Sequence, residues 1–151
     1  MERLSIEQLD GADTLLFGRA TYEGMARYWS SATGEIADRM NGIAKFVFST
    51  SLRSADWNNA TLVRSDAVEE VTRLKQQPGR GLFIFGSADL SGSLMKAGLI
   101  DEYRIGIAPI LLGSGRPLFS SREAPMPLRL LDARTTAQGC VLLRYAPRRS
   151  T

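Results

Sequence analysis

Short apolar runs that stop at glycine or hydroxyl residues alternate with stretches whose apolar positions recur every three or four residues. TLLFG (Thr14–Gly18) is the first such run and reads as a buried strand. In RATYEGMARYWSS, Tyr22, Met25, Ala26 and Trp29 fall at i, i+3, i+4 and i+7, which is one face of a helix. EIADRMNGI adds a helical turn or two, with Ile36, Met40 and Ile43. KFVFST (Lys45–Thr50) reads as a second strand and TLVR (Thr61–Arg64) as a shorter one. SDAVEEVTRLKQQPG is a fully signalled helix. Asp66 and Glu69 fit a capping box, Val68, Val71 and Leu74 supply the inner face, and Pro78-Gly79 ends it. LFIF, residues 82–85, is the most apolar run and is expected at the centre of the sheet. ADLSGSLMKAGL follows as a helix with Leu90, Leu94 and Met95 facing in.

From Asp101 the pattern changes. In DEYRIGIAPILLG, Tyr103, Ile105 and Ile107 alternate with Arg104, Gly106 and Ala108, a strand with one wetter face. PLRLLDARTTAQGCVLLRYAP reads as two strands around Ala137-Gln138-Gly139, a hairpin. Strand–helix units followed by antiparallel strands predict an α/β fold. It would be one mixed sheet with flanking helices and a C-terminal antiparallel hairpin, within a single domain over residues 1–151.

Composition narrows the chemistry. With no histidine, a Ser–His or Cys–His nucleophile system is excluded, and a metal site loses its commonest ligand. The lone Cys140 lies in an apolar run; it forbids an internal disulfide and fits a reducing cytoplasm. No apolar run reaches the roughly 18 residues of a membrane span, and MERLSIEQLDGAD has no signal-peptide core. The +3 net charge is uneven, with nine basic against eleven acidic residues up to position 75 and ten against five beyond it. The arginines are scattered rather than striped, which argues against nucleic acid and for a small anionic ligand or a mixed solvated surface.

LFIFGSADLSGSL therefore raises a specific question: why a bare Gly86-Ser87 turn lies between a strand and a helix start. The first amides of a helix lack partners and, with the helix dipole, attract an anion; glycine lets a phosphate approach. The same logic holds at FGRATYE, where Gly18 ends a strand, Arg19 adds a charge-assisted donor and Thr21 a hydroxyl. A third strand ends in Ser49, Thr50 and Ser51. A polyanionic ligand lying across strand ends, such as a dinucleotide, would use all three. Each feature also has an ordinary reading: Gly-Ser as a tight turn, Arg19 as a surface residue, Ser49–Ser51 as a loop cap. Neither a G-x-G-x-x-G fingerprint nor a P-loop is present.

Together, LLFGRATYEGMARYW, NGIAKFVFSTSL, ADWNNATLV, LFIFGSADLSGSLMKAGLIDEYRIGIAPILLGSGRPLF and GCVLLRY resemble the dihydrofolate reductase-like superfamily. More closely they resemble bacterial proteins built like the reductase domain of the bifunctional riboflavin-biosynthesis protein. The resemblance runs over residues 13 to 147. It implies NADPH as cofactor, its phosphates gripped by Gly18, Arg19 and Thr21 and by Gly86, Ser87, Ala88, Asp89 and Leu90. Ser49, Thr50 and Ser51 would lie near the adenosine ribose and its extra phosphate, with Arg53 or Arg64 neutralising it. It implies hydride transfer to a small heterocycle, as in 5-amino-6-(5-phosphoribosylamino)uracil reductase or dihydrofolate reductase, in a homodimer.

Arg104, Pro109, Leu111, Leu112, Gly113 and Gly115 are substrate candidates, although 109–115 reads equally as a structural turn. Asp101 and Glu102 either hold a catalytic proton or sit in water at a helix–strand junction. Relatives carry a first strand ahead of the segment matching LSIEQLDGADTLLFG, central in their sheet beside the LFIF strand. Without it, LFIFG and YRIGIA are expected to pair directly, or a partner's segment to fill the slot. The alternative function is a non-catalytic homodimeric nucleotide-binding scaffold.

Overall fold

Strand β1 (Thr14–Gly18) is paired on both sides: to β2 (Ala44–Phe48) from Thr14 to Gly18, and to β4 (Leu82–Ile84) from Thr14 to Leu16. The computed structural model describes residues 2–79, 81–119 and 125–148. β3 (Ala60–Val63) joins the far side of β2, giving an all-parallel sheet of order β3-β2-β1-β4. A parallel sheet is buried on both faces, so its inner strand must be apolar without alternation. Leu15, Leu16 and Phe17 are each at most 1% exposed, which fits. Helices α1 (Glu2–Asp10), α2 (Arg19–Trp29), α3 (Glu35–Gly42), α4 (Ala67–Lys75) and α5 (Ala88–Lys96) complete this unit, which runs to Ala97.

The amphipathic faces read from the sequence are the ones buried. Tyr22, Met40 and Trp57 are core residues, and Met25, Ala26, Trp29, Ile36 and Ile43 pack against that core. Asp66 caps α4, accepting from the amides of Val68 and Glu69. The first helix, α1, carries no clear signal in the sequence pattern; it places Leu9 in the core.

A second unit begins at Gly98. It holds β5 (Tyr103–Ile107), β6 (Leu128–Thr135) and β7 (Val141–Pro147) as an antiparallel sheet of order β5-β7-β6. The hairpin expected around Gly139 joins β6 to β7. Two expectations change. The strands form two sheets rather than one mixed sheet. The LFIF strand is a three-residue edge among the described residues, not the centre, and β1 takes the central place. Among the described residues β4 pairs with β1, and β5 with β7.

One buried residue breaks the apolar rule. Lys45, on β2, is 0% exposed. Its ammonium donates to the carbonyls of Ile43 (2.8 Å), Asn58 (2.8 Å) and Asn41 (3.3 Å) and lies 4.3 Å from the centre of the Trp57 ring. Trp57 in turn donates its indole N–H to Asn41 Oδ1 at 2.6 Å and its backbone N–H to the Tyr22 hydroxyl. The cation thus ties the end of α3 to the loop after β2. Burial pushes its pKa from 10.5 down to about 8. Three carbonyls and a ring face are what let it carry charge there at all.

Between pH 8 and 10.5 the unfolded chain therefore binds the proton that folded Lys45 has released, and unfolding free energy rises with pH across that window. The shift corresponds to roughly 3 kcal/mol. Urea unfolding at a series of pH values should show this gain in the unmodified protein and not in Lys45→Met. Parallel curves for the two would show that Lys45 is not the titrating group.

Candidate functional site

In the order β3-β2-β1-β4, the chain moves outward from β1 in one direction and then returns to the other side for β4. The crevice at the carboxyl ends of two such strands is where open parallel sheets hold ligands. Here those ends are the two glycine turns, Gly18 into α2 and Gly86-Ser87 into α5. Adjacent parallel strands bring them together from positions 69 residues apart.

The turns are joined by two hydrogen bonds. The Gly18 amide donates to Ser87 Oγ at 3.0 Å, and the Ser87 amide donates to Thr21 Oγ1 at 3.1 Å. Neither α2 nor α5 has a side-chain cap at its first residue, whereas Asp66 caps α4. The first turn of α2 contains no acid. The amides of Arg19, Ala20 and Thr21, and of Ala88 and Leu90, lie in the first turns of these helices, where the helix itself supplies no acceptor. Leu90 itself is buried. Asp89 places a carboxylate in the first turn of α5, which disfavours an anion at that side chain.

The two glycines differ in kind. Gly18 has φ −79° and ψ 171°, which any residue adopts, and a Cβ there would meet Ser87 Cβ at an ordinary 3.7 Å. Gly86 has φ +63°, a left-handed conformation that favours glycine. Ser87 follows at φ +56°, ψ +58°, so the turn contains two successive left-handed residues and one of them carries a side chain.

Arg19 brings in the third strand end. Its Nη1 donates to Ser51 Oγ at 2.8 Å and its Nε to Glu23 at 3.0 Å. Ser49 Oγ accepts from the amides of Ser51 (3.2 Å) and Leu52 (3.1 Å), which curls the chain after β2. Arg64 donates to the carbonyls of Thr50 and Arg53, holding the backbone of that loop. Gly18, Arg19, Thr21, Ser49, Thr50, Ser51 and the 86–90 turn therefore form one cluster in the first unit. The arrangement offers first-turn amides, one guanidinium and five hydroxyl residues, which suits the phosphates of an extended anionic ligand.

The remaining candidates lie in the second unit. Arg104 donates to Glu102 at 2.8 Å, and Arg144 grips the same carboxylate at 2.6 and 3.2 Å. Arg144 above all, with Arg104, holds Glu102 below the usual carboxylate range despite its partial burial. Glu102 is thus an ionised partner in an ion cluster, not a carrier of a catalytic proton. Pro109, Leu111, Leu112, Gly113 and Gly115 lie on an exposed loop, with Leu111 99% exposed. Lys45 and Ser87's joining role were not read from the sequence. The available signal for Lys45 was strand alternation, since it shares the phase of buried Val47.

The sequence model of the RibD C-terminal domain matches residues 4–142. A Bacillus subtilis (strain 168) protein, YyaP, is 31% identical over 142 residues, covering 91% of this chain and 75% of YyaP. Among solved structures, a putative riboflavin biosynthesis protein from Shewanella sp. PV-4 superposes with a TM-score of 0.77 at 23% identity, covering 93% of this chain and 77% of that one. RibD of Acinetobacter baumannii superposes with a TM-score of 0.65 at 17% identity, covering 91% of this chain and 47% of that one. These two structural likenesses establish the shared fold.

The contrast between the two glycines is testable by stability alone. Gly18→Ala should change unfolding free energy by less than about 1 kcal/mol. Gly86→Ala should cost about 1–2 kcal/mol from the left-handed backbone. Equal effects in urea denaturation would show that Gly86 relaxes out of its positive-φ conformation.

Proposed function

The chain belongs to the RibD C-terminal domain family, and on that premise we propose that it is an NADPH-dependent reductase that passes a hydride to a small heterocycle. Membership of this family supports a reductase-like role that uses a nucleotide cofactor. The carrying observation is the pair of uncapped helix starts, α2 and α5, side by side at the carboxyl ends of β1 and β4, with Arg19 beside them.

These residues fit a dinucleotide. A Cβ on Gly86 would occupy space 3.5 Å from Thr21 Oγ1, so the bare turn leaves a close approach open between the strand ends. The backbone amides of Arg19–Thr21 and Ala88–Leu90 would hold the pyrophosphate. Ser49, Thr50, Ser51 and Arg19 would face the ribose and its extra phosphate. When bound, a reduced nicotinamide supplies the hydride, so the protein need not provide a nucleophile or a metal. This chain's own part is to bind, to orient and to exclude water. Arg104 and the loop Pro109–Gly115 are the substrate-side candidates of this reading. The substrate class is a ribosylaminopyrimidine or a pterin, and the cytoplasm is the place of action.

A second reading keeps the nucleotide site without turnover, in a homodimeric scaffold. One observation favours the dimer under both readings. Of the large apolar side chains recorded as exposed, all but Tyr28 lie between Ile107 and Leu131. An apolar surface of that kind marks an interaction face. Sedimentation should give twice the mass of the chain at micromolar concentration; a monomer alone would remove the dimer from both readings.

Titration with NADPH, followed by nicotinamide fluorescence, separates the possibilities. Binding with oxidation in the presence of a ribosylaminopyrimidine or pterin supports the reductase. Binding without oxidation across that panel supports the scaffold, and no binding removes both. Arg19→Ala should weaken NADPH by about 1–3 kcal/mol through loss of a charge-assisted hydrogen bond. It should weaken NADH less, because the hydroxyls beside Arg19 are assigned to the extra phosphate. Equal affinity of the unmodified protein for NADH and NADPH would sink the phosphate assignment.

A further inference from the structure

Two parallel strands need a connection that crosses one face of their sheet, and a helix is the usual one. Between β2 and β3 the crossing is made by residues 49–59, which contain neither helix nor strand. Such a segment has no hydrogen-bond ladder of its own, so its anchors hold it in place. The outer ones are exposed: Ser51 Oγ accepts from Arg19, and the Thr50 and Arg53 carbonyls accept from Arg64. The inner anchor is Trp57, a core residue. Its ring packs on Phe17 and Tyr22, its amide donates to the Tyr22 hydroxyl and its indole N–H to Asn41 Oδ1.

Beneath this anchor lies a cation. Lys45 shares one face of β2 with buried Val47, and the segment closes over it. The groups around its ammonium come from two places. The Asn41 and Ile43 carbonyls belong to the end of α3 and its exit; the Asn58 carbonyl and the Trp57 ring belong to the segment. Lifting the segment leaves two carbonyls where they are and exchanges the third, with the ring, for water. The ladder partners of Lys45 are Leu15 on β1 and Ala60 on β3, neither of which is in the segment.

The side chains that these elements bring to Lys45 carry no charge: Leu15 from β1, Asn41 from α3, Ala60 from β3, and Trp57, Asn58 and Asn59 from the segment. The titratable group on that side is Tyr22 of α2, which is joined to the Trp57 amide. Burial alone lowers the pKa of Lys45, with no contribution from a carboxylate or a second cation.

We propose that residues 49–59 form a lid over Lys45 that opens locally, drawing Trp57 out of the core, and that takes up a proton at Lys45 as it opens. Under the closed lid Lys45 gives up its proton at about pH 8; under an open one it does so at the ordinary 10.5 of a lysine in water. The open state therefore binds more protons, and rising pH drives the lid shut. The lid begins at Ser49–Ser51, so its opening takes away the strand end that Arg19 reaches. None of this depends on what the cluster around Arg19 binds.

Chymotrypsin reads the lid at its anchor. Cleavage after Trp57 requires the ring to leave the core, and a protease that is slow relative to reclosing reports the open population. With the rate at each pH divided by that for a peptide of residues 53–62, the Trp57 cut in the unmodified protein should slow about tenfold from pH 7 to pH 9. It should also precede any cut at Phe17, which lies in β1 and is released only when the sheet unfolds. Lys45→Met should be cut at a rate that no longer changes with pH. Tyr22→Phe should be cut faster throughout and keep the tenfold fall. A flat rate in the unmodified protein would overturn the lid, and so would Trp57 and Phe17 being cut together. A fall that persists in Lys45→Met, or that vanishes in Tyr22→Phe, would remove Lys45 as the group that takes up the proton.

Discussion

The pairing of β1 on both sides decides most of what the first unit can do. A strand flanked by parallel neighbours has no edge left for water, and with both faces packed in the core Leu15, Leu16 and Phe17 are sealed. The chain can leave such a strand only by turning outward at its carboxyl end. Because β4 returns to the opposite side of β1 from β2, two of these exits lie next to each other. Each exit opens a helix, and each helix starts with amides that nothing in its own turn satisfies. On the nucleotide reading, the place for the phosphates follows from strand order. It does not depend on a dedicated binding loop.

What the strand order leaves open is how the two helix starts are aligned, and there the side chains decide. Gly86 supplies the left-handed turn, and Ser87 supplies a second left-handed residue with a hydroxyl in the gap beyond the last ladder rung. By comparison Gly18 is conformationally ordinary. A glycine at the end of a strand therefore means different things at the two exits. At Gly86 it is a backbone requirement; at Gly18 neither the backbone conformation nor the space beside Ser87 requires it.

The strands and helices from Thr14 to Lys96 were legible because each carries a local signal: an unbroken apolar run, a helical repeat, or a capping box at Asp66. The positions of the three strand-end turns were legible for the same reason, since a strand end followed by glycine or hydroxyls is a local pattern. The misreadings came from non-local quantities. LFIF was placed at the sheet centre on apolarity, but centrality depends on partners, and Leu82–Ile84 has one neighbouring strand among the described residues. The division into two sheets likewise depends on which edges meet. Lys45 was invisible as a core residue because its partners are backbone carbonyls of Asn41, Ile43 and Asn58, groups that every residue has. α1 carries only Leu4, Ile6 and Leu9, too irregular a set to show a helical face.

Arg19 is what makes three strand ends a single cluster. Through Ser51 it reaches the loop after β2, which shares no backbone rung with the α5 turn. Its other partner, Glu23, lies one turn along the same helix, and both side chains are well exposed. Exposed pairs of this kind contribute little, about 0–1 kcal/mol, so the guanidinium can turn to an incoming anion at small cost. Ser51, a neutral acceptor, offers still less resistance. The loop itself does not need Arg19, since Ser49 curls it and Arg64 holds its carbonyls. The division of labour follows: Arg64 is committed to the protein's own backbone, and Arg19 is the cation free to change partners. A phosphate entering this cluster would therefore meet a prepared loop and one exchangeable charge, with the charge supplied from α2.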